Sequence, residues 1–215
     1  MFFKKSNSIL LEIEKNIEKN NTKNQPIHID LFRKIVILIP VLLNCVVYPY
    51  IPTMKFVLLD QITEITPGQS IRAVKNLTLS EEYLHDHFPG FPVMPGVLML
   101  EAMIQLSAWL IRVTDDFAHP IITLKEARNV KYGHFVQPGE KLELEGRILK
   151  REGNLTKLAI QGNLNGEAII SARLTMESAD LDPSNPQMVF KQKQINADYR
   201  EMYVLLTQNT LNKKQ

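Results

Sequence analysis

With 215 residues and 45% hydrophobic content, the chain has length for one folded domain plus extensions and ample apolar material for a core. Its 25 Lys and Arg nearly balance 23 Asp and Glu, a formal charge of +2 that gives no case for a nucleic-acid binder. A single cysteine, Cys45, excludes an internal disulfide framework and a thiolate-based zinc site, and it fits a reducing, cytoplasmic compartment.

Residues 1–53 read as an N-terminal extension. SILLEIEKNIEKNNTKNQ carries Ile and Leu at near-helical spacing among Lys, Glu and Asn, which suits a short amphipathic helix or a disordered stretch. Ile35 to Val47 is an apolar run behind Arg33 and Lys34, interrupted by Pro40 and Asn44 and ending in Tyr48-Pro49-Tyr50-Ile51-Pro52. A membrane-spanning helix needs about 20 apolar residues, more than this run supplies. A signal peptide is disfavoured by the long, mixed-charge region ahead of it and by the lack of a small-residue cleavage pattern behind it. The segment is read as a packed or loosely attached extension; the alternatives are a weak anchor, or a translation start at Met54, where the folded domain begins.

From Met54 the periodicity predicts a short strand over Lys55–Leu59, a turn at Thr66-Pro67-Gly68 and a second strand over Ser70–Leu79, forming a hairpin. His87 to Gly96 then packs three prolines and two glycines into ten residues, a combination of fixed and free φ that describes a rigid, tightly folded loop. A helix follows, with Pro95 in its first turn and almost unbroken apolar residues through Ile111. Apolar all round, it must be buried. Strands are predicted over Thr123–Tyr132, over Lys141–Lys150 after the Gln137-Pro138-Gly139 turn, over Leu155–Leu164 between Gly153-Asn154 and Asn165-Gly166, and over Ala168–Met176. Leu142, Leu144, Gly146 and Ile148 alternate, so one face of that strand is buried. The order β-β-α-β-β-β-β points to an α+β domain over 54–178 in which a mostly antiparallel sheet of six strands curls around one helix. Asp180 to Pro186 is a linker, residues 187–208 carry Ile195, Tyr199, Met202, Tyr203 and Leu206 at helical spacing, and Asn212 to Gln215 form a polar tail.

One ionisable group interrupts the central helix between Gly96 and Ile111: Glu101, with Gln105 a turn later on the same face. Desolvating an unpaired carboxylate is costly or forces its pKa upward, so a glutamate here needs a chemical reason. A histidine held by the rigid loop, His87, and a glutamate held by an apolar helix would make an acid/base pair. Met94, Met99 and Met103 read as core or tunnel lining, and His85, His119 and His134 as surface or loop residues. Neither metal-ligand spacing nor a GxGxxG or P-loop pattern occurs, so no metal and no cofactor is expected.

The stretch around that pair runs HFPG over His87–Gly90, PVMPGVL over Pro92–Leu98 and LEAMIQ over Leu100–Gln105, without a gap. On these motifs residues 54–178 resemble the hot-dog-fold 3-hydroxyacyl-acyl-carrier-protein dehydratases, usually labelled FabZ, with FabA as a relative. Weaker likeness continues in Ala73-Val74-Lys75-Asn76 and in Phe135-Val136-Gln137-Pro138-Gly139. The resemblance implies a hot-dog fold and the dehydration of 3-hydroxyacyl thioesters on acyl carrier protein to trans-2-enoyl thioesters, in fatty-acid or related acyl-chain synthesis. It implies that His87 and Glu101, 14 positions apart, are the catalytic pair. The histidine suits the base and the glutamic acid the proton donor to the departing hydroxyl. The Gly96 N–H, at the helix N-terminus, would meet the thioester carbonyl oxygen. Gln105 would orient Glu101, with Phe88, Pro89, Gly90 and Pro95 as the loop's scaffold. Implied partners are acyl carrier protein, the acyl thioester and further copies of the chain, as a homodimer or a hexamer built as a trimer of dimers; neither nucleic acid nor a membrane is implied.

Two departures from the family's pattern stand out. Asp86 replaces a glycine common before the histidine, and a carboxylate facing the ring would favour the imidazolium and weaken the base. The LPHRYPF opening is missing, with Tyr50 to Phe56 in its place, which affects the substrate entrance and hence chain-length preference. A non-catalytic acyl-binding or carrier-docking hot-dog protein, or a hot-dog thioesterase, are the alternative readings, because fold alone does not decide chemistry.

Overall fold

The structure, a computed structural model, describes residues 56–88 and 90–211. The readings for residues 1–53, for Pro89 and for the 212–215 tail lie outside the described residues.

Six strands form one sheet in the order β1-β2-β4-β5-β6-β3, and every neighbouring pair is antiparallel. The strands are β1 (Gln61–Thr66), β2 (Ser70–Asn76), β3 (Ile121–Tyr132), β4 (Lys141–Glu152), β5 (Leu155–Leu164) and β6 (Glu167–Ala179). The central helix α1 spans Gly96–Thr114 between β2 and β3, and α2 spans Pro186–Leu211 after β6. The inward rows alternate as period two demands: Leu142, Leu144 and Gly146 on β4, Leu158, Ile160 and Gly162 on β5, Ile170, Ala172, Leu174 and Met176 on β6. Two of those inward positions are glycines for a packing reason. A Cβ on Gly162 would stand 2.6 Å from Ile170 Cγ2, and one on Gly146 2.7 Å from Ile160 Cδ1, so the cross-strand neighbours fill the space.

Three expectations are corrected. The first strand is Gln61–Thr66, not Lys55–Leu59. Leu58 and Leu59 are both buried but stand before the first strand, outside the sheet's ladder. Instead this segment's backbone is held by a side chain: Leu58 N–H donates to Gln105 Oε1 at 3.0 Å, and Gln105 Nε2 donates to the Phe56 carbonyl at 3.0 Å. The second strand stops at Asn76, because the Leu77 N–H leaves the ladder for the Glu140 carbonyl. Finally, Pro95 stands just outside the helix as its N-cap residue, its carbonyl accepting from the Leu98 and Met99 N–H groups, rather than inside the first turn.

Helix α1 is long and apolar enough to cross a membrane, yet its side chains from Met99 to Arg112 are mostly buried within the domain. It also runs beyond Ile111, and the extra turn ends on Thr114, whose Oγ1 accepts from the Gly68 N–H in the β1–β2 turn at 2.8 Å. Helix α2 packs on that end. Tyr199 and Tyr203 lie against Trp109, at 5.8 and 6.2 Å between ring centroids, and the Arg112 guanidinium sits 3.8 Å over the Tyr199 ring.

A concavity of about 850 Å³ opens along the sheet, lined by outward residues such as Arg72, Glu145, Arg147 and Arg173 and also by Gly146, Ile160 and Ala172 of the inward rows. It contains none of the residues named for chemistry, and its lining of alternating charges is that of a solvated sheet face.

Candidate active site

The His87 loop is built by short-range hydrogen bonds. A single 3-10 turn over Glu82–Leu84 follows Glu81, with Leu84 N–H donating to the Glu81 carbonyl at 3.1 Å and the Leu84 side chain buried. After the exposed His85 and Asp86, the chain closes on itself: Val93 N–H donates to the His87 carbonyl at 3.2 Å, and Phe91 N–H to the Phe88 carbonyl at 2.9 Å. Gly90 takes φ +89, the left-handed region where a Cβ would be strained. The far end is pinned by Met94 N–H on the Val136 carbonyl at 2.8 Å, with Val93 and Met94 fully buried.

Within this frame His87 Nδ1 lies 3.0 Å from the Val93 carbonyl oxygen. A carbonyl can only accept, so Nδ1–H donates to it, and in the neutral ring the lone pair is on Nε2. The loop thereby selects the tautomer a base requires. The imidazole is half-buried and stacks at 4.3 Å, tilted, on Phe88.

Glu101 projects from the early part of α1, and among the described residues no cation pairs with it. Burial pushes its carboxyl above the usual glutamate range, and the hydrogen bond from Gln105 pulls partly the other way. That bond, Gln105 Nε2 to Glu101 Oε1, measures 3.1 Å. The Gln105 amide is fully committed: its oxygen accepts from Leu58, and its nitrogen donates to Phe56 and Glu101. Glu101 is left with one oxygen engaged and one available.

Gly96 opens α1, where the first N–H groups have no partner inside the helix. A Cβ there would lie 3.1 Å from Tyr132 Cε1, so the close ring leaves the glycine backbone as the group presented. Burial pushes the Tyr132 hydroxyl up, keeping it protonated. Among the described residues no hydrogen bond or ion pair joins His87 to Glu101, and none holds three or more His, Cys, Asp or Glu grouped to take a metal ion. The structure thus brings Gln105 to Glu101 but leaves His87 on a separate loop.

Sequence reasoning missed the Val93 carbonyl as partner to His87, and it missed Lys75. This lysine is only 5% exposed, with Nζ 2.5 Å from Glu81 Oε1 and 3.7 Å from Asp60 Oδ1. The signal was present: Lys75 follows Ile71 and Ala73 at period two on the inward row of β2. The other histidines are otherwise occupied, His119 with Asp180 at 2.9 Å and His134 with the Phe135 carbonyl at 3.0 Å, while His85 is exposed.

A family model described as FabA-like domain matches residues 51–173, more than half of the chain. A 3-hydroxyacyl-[acyl-carrier-protein] dehydratase FabZ of Nitratidesulfovibrio vulgaris (strain DP4) is 38% identical over 126 residues, 56% of this chain and 82% of the relative. The dehydratase of the same description from Lactiplantibacillus plantarum is 35% identical over 117 residues, 54% of this chain and 80% of the relative. Among solved structures, the dehydratase heterocomplex ApeI:P from Xenorhabdus doucetiae is similar at TM-score 0.47 and 17% identity, over 63% of this chain and 88% of that one. With its six-stranded antiparallel sheet around a central helix and its match to the family over most of the folded domain, the chain belongs to the FabA-like family of hot-dog 3-hydroxyacyl-[acyl-carrier-protein] dehydratases.

Proposed function

We propose that the chain removes water from 3-hydroxyacyl thioesters carried on acyl carrier protein and yields trans-2-enoyl thioesters in fatty-acid synthesis. The observation that carries this reading is the Glu101 carboxyl, set in an apolar helix without a counter-charge and pushed toward its protonated form by burial. His87 Nε2 takes the proton from the carbon next to the thioester carbonyl. Charge then develops on the carbonyl oxygen, which the Gly96 N–H at the positive end of α1 meets. As the C–O bond breaks, Glu101 gives its proton to the hydroxyl, and water leaves with the new double bond in place. Gln105 holds the carboxyl in the orientation this transfer needs.

A base on the loop and an acid on the helix that follows it, with no hydrogen bond between them among the described residues, suit a two-fold assembly in which His87 of one subunit works with Glu101 of the other. Two surface features support it. Phe88, Phe91, Tyr132 and Phe135 are all exposed around the loop, with Phe91 and Phe135 in edge contact at 6.2 Å, and β3 is an edge strand of the sheet. The assembly is a homodimer or a hexamer of three dimers, working in the cytoplasm. Residues 54–178 are the catalytic domain, and residues 1–53 are dispensable for its chemistry.

Purified protein assayed with 3-hydroxyacyl-carrier substrates of several chain lengths tests the reading. Glu101→Gln keeps the shape but has no acidic proton to deliver, and turnover falls by roughly 10² to 10⁴. Near-wild-type dehydration of every substrate by Glu101→Gln would overturn the assignment.

A further inference from the structure

We propose that Lys75 is a positioning residue for His87, acting through Glu81. This rests on the reading of His87 as the base, and it gives a role to the Ala73-Val74-Lys75-Asn76 stretch that the proposed chemistry leaves unused.

Strand alternation turns Lys75 inward, in the same row as Ile71 and Ala73, so its ammonium enters the domain instead of water. It is met there by Glu81 at 2.5 Å and by Asp60 at 3.7 Å. Asp60 is itself fixed, since its Oδ2 accepts from the Asn76 N–H at 2.5 Å and its N–H donates to the Val74 carbonyl at 2.9 Å. The three charges tie together the approach to β1, the end of β2 and the first residue of the His87 loop. Tyr83 packs beside them, and burial with the negative Glu81 and Asp60 holds its phenol well above the ordinary range. An inward charged row is a poor device for stability alone, because desolvation offsets most of the attraction and an apolar pair of similar volume does as well. It is a good device for position. Glu81 stands at the N-cap position of the single turn that leads to His87; its carbonyl accepts from the Leu84 N–H while its side chain makes no cap bond and goes to Lys75, so the ion pair holds the residue on which that turn begins.

The loop is therefore anchored at two ends by different means. Backbone bonds from Val93 and Met94 fix the end beyond His87, while the end before it joins the buried Leu84 and the bonds of its own short turn to the Lys75–Glu81 ion pair, the charged anchor that ties this end to β2. Releasing Glu81 lets His87 drift while its Nδ1 bond to Val93 persists, which misaligns Nε2 without unfolding the domain.

Lys75→Met and Glu81→Gln, both neutral and close in shape, test this in the full-length protein. The expected result is a kcat lowered roughly 10- to 100-fold with KM changed less than about threefold, for either variant. The double variant is no worse than the poorer single one, because each removes the same anchor. The imidazole ¹⁵N resonances of His87, assigned by their loss in His87→Ala, move in both variants and stay in place in Arg147→Ala on the outward face. Wild-type kcat in both variants overturns the proposal. So does a loss of activity that only follows a loss of folded protein by circular dichroism, or unfolding of both variants, since the role is then structural. If the wild-type chain dehydrates no 3-hydroxyacyl substrate, the function falls and this assignment with it; if it does so and His87→Ala does not, only the Lys75 assignment is at stake.

Discussion

At the scale of single residues, Glu101 couples stability to pH through one pKa. Its folded-state value is raised by burial, so the folded chain binds the proton more tightly than the unfolded chain does. The stability this contributes is fully present below the unfolded value of about 4.3 and is lost as pH rises through the folded value. Glu101→Gln abolishes that loss. In thermal melts the variant gains Tm over wild type at pH 8, and the gap closes as the pH is lowered to about 4; a gap that is constant across this range would show that Glu101 does not titrate above its ordinary value. Gln105 works in the opposite direction, because its amide donates to the carboxylate and lowers the pKa. Gln105→Met removes that donor, so the basic limb of the kcat/KM profile shifts to higher pH. The same substitution strands the Leu58 N–H and lowers stability by about 1–3 kcal/mol in denaturant titration, the penalty for a buried donor left without a partner.

At the scale of elements, what was legible in the sequence is what local rules govern. Gly153-Asn154 and Asn165-Gly166 delimit β5 because a hairpin turn is a matter of a few consecutive residues, and the structure gives Leu155–Leu164 as expected. The His87 loop and Glu101 were legible for the same reason, as a proline and glycine cluster and a lone charge in an apolar run. What was missed depends on distant parts of the chain. The first strand was misplaced because the Leu58 N–H goes to the side chain of Gln105, 47 residues away, and not to a neighbouring strand. Arg112 is covered by Tyr199 from α2, which periodicity on α1 alone does not reveal. Close cross-strand packing was equally invisible, and it makes a sharp prediction. Gly162→Ala places a Cβ against Ile170 Cγ2, Leu142 and Leu144, all three of them buried. Overpacking of about 1–3 kcal/mol follows, and Tm drops by roughly 2–4 °C for each kcal/mol in differential scanning calorimetry. Gly153→Ala is the contrast, since nothing lies within 4 Å and the strain there comes only from φ +58.

At the scale of the whole molecule, the proposed pairing of His87 with Glu101 raises the question of how many chains make one site. Within a chain, His87 bonds to Val93 and Glu101 to Gln105, and among the described residues no hydrogen bond or ion pair joins the two. The exposed aromatic cluster at Phe88, Phe91 and Phe135 gives a second copy an apolar surface to cover, and the β3 edge gives it backbone groups to pair. If the base comes from one subunit and the acid from the other, His87→Ala and Glu101→Gln proteins are each inactive alone. In a mixed dimer one site collects both mutations, and the other has His87 from one chain and Glu101 from its partner, both intact. Unfolding and refolding an equal mixture makes about half of the dimers mixed, each with one working site of two, so activity returns to about a quarter of wild type by the counting of a two-fold assembly. No recovery, in a mixture that sedimentation shows to contain mixed dimers, would place both groups of each site in a single chain. Phe135→Asp adds a separate check: a charge in the aromatic cluster disfavours association, and turnover falls with the dimer fraction as protein is diluted.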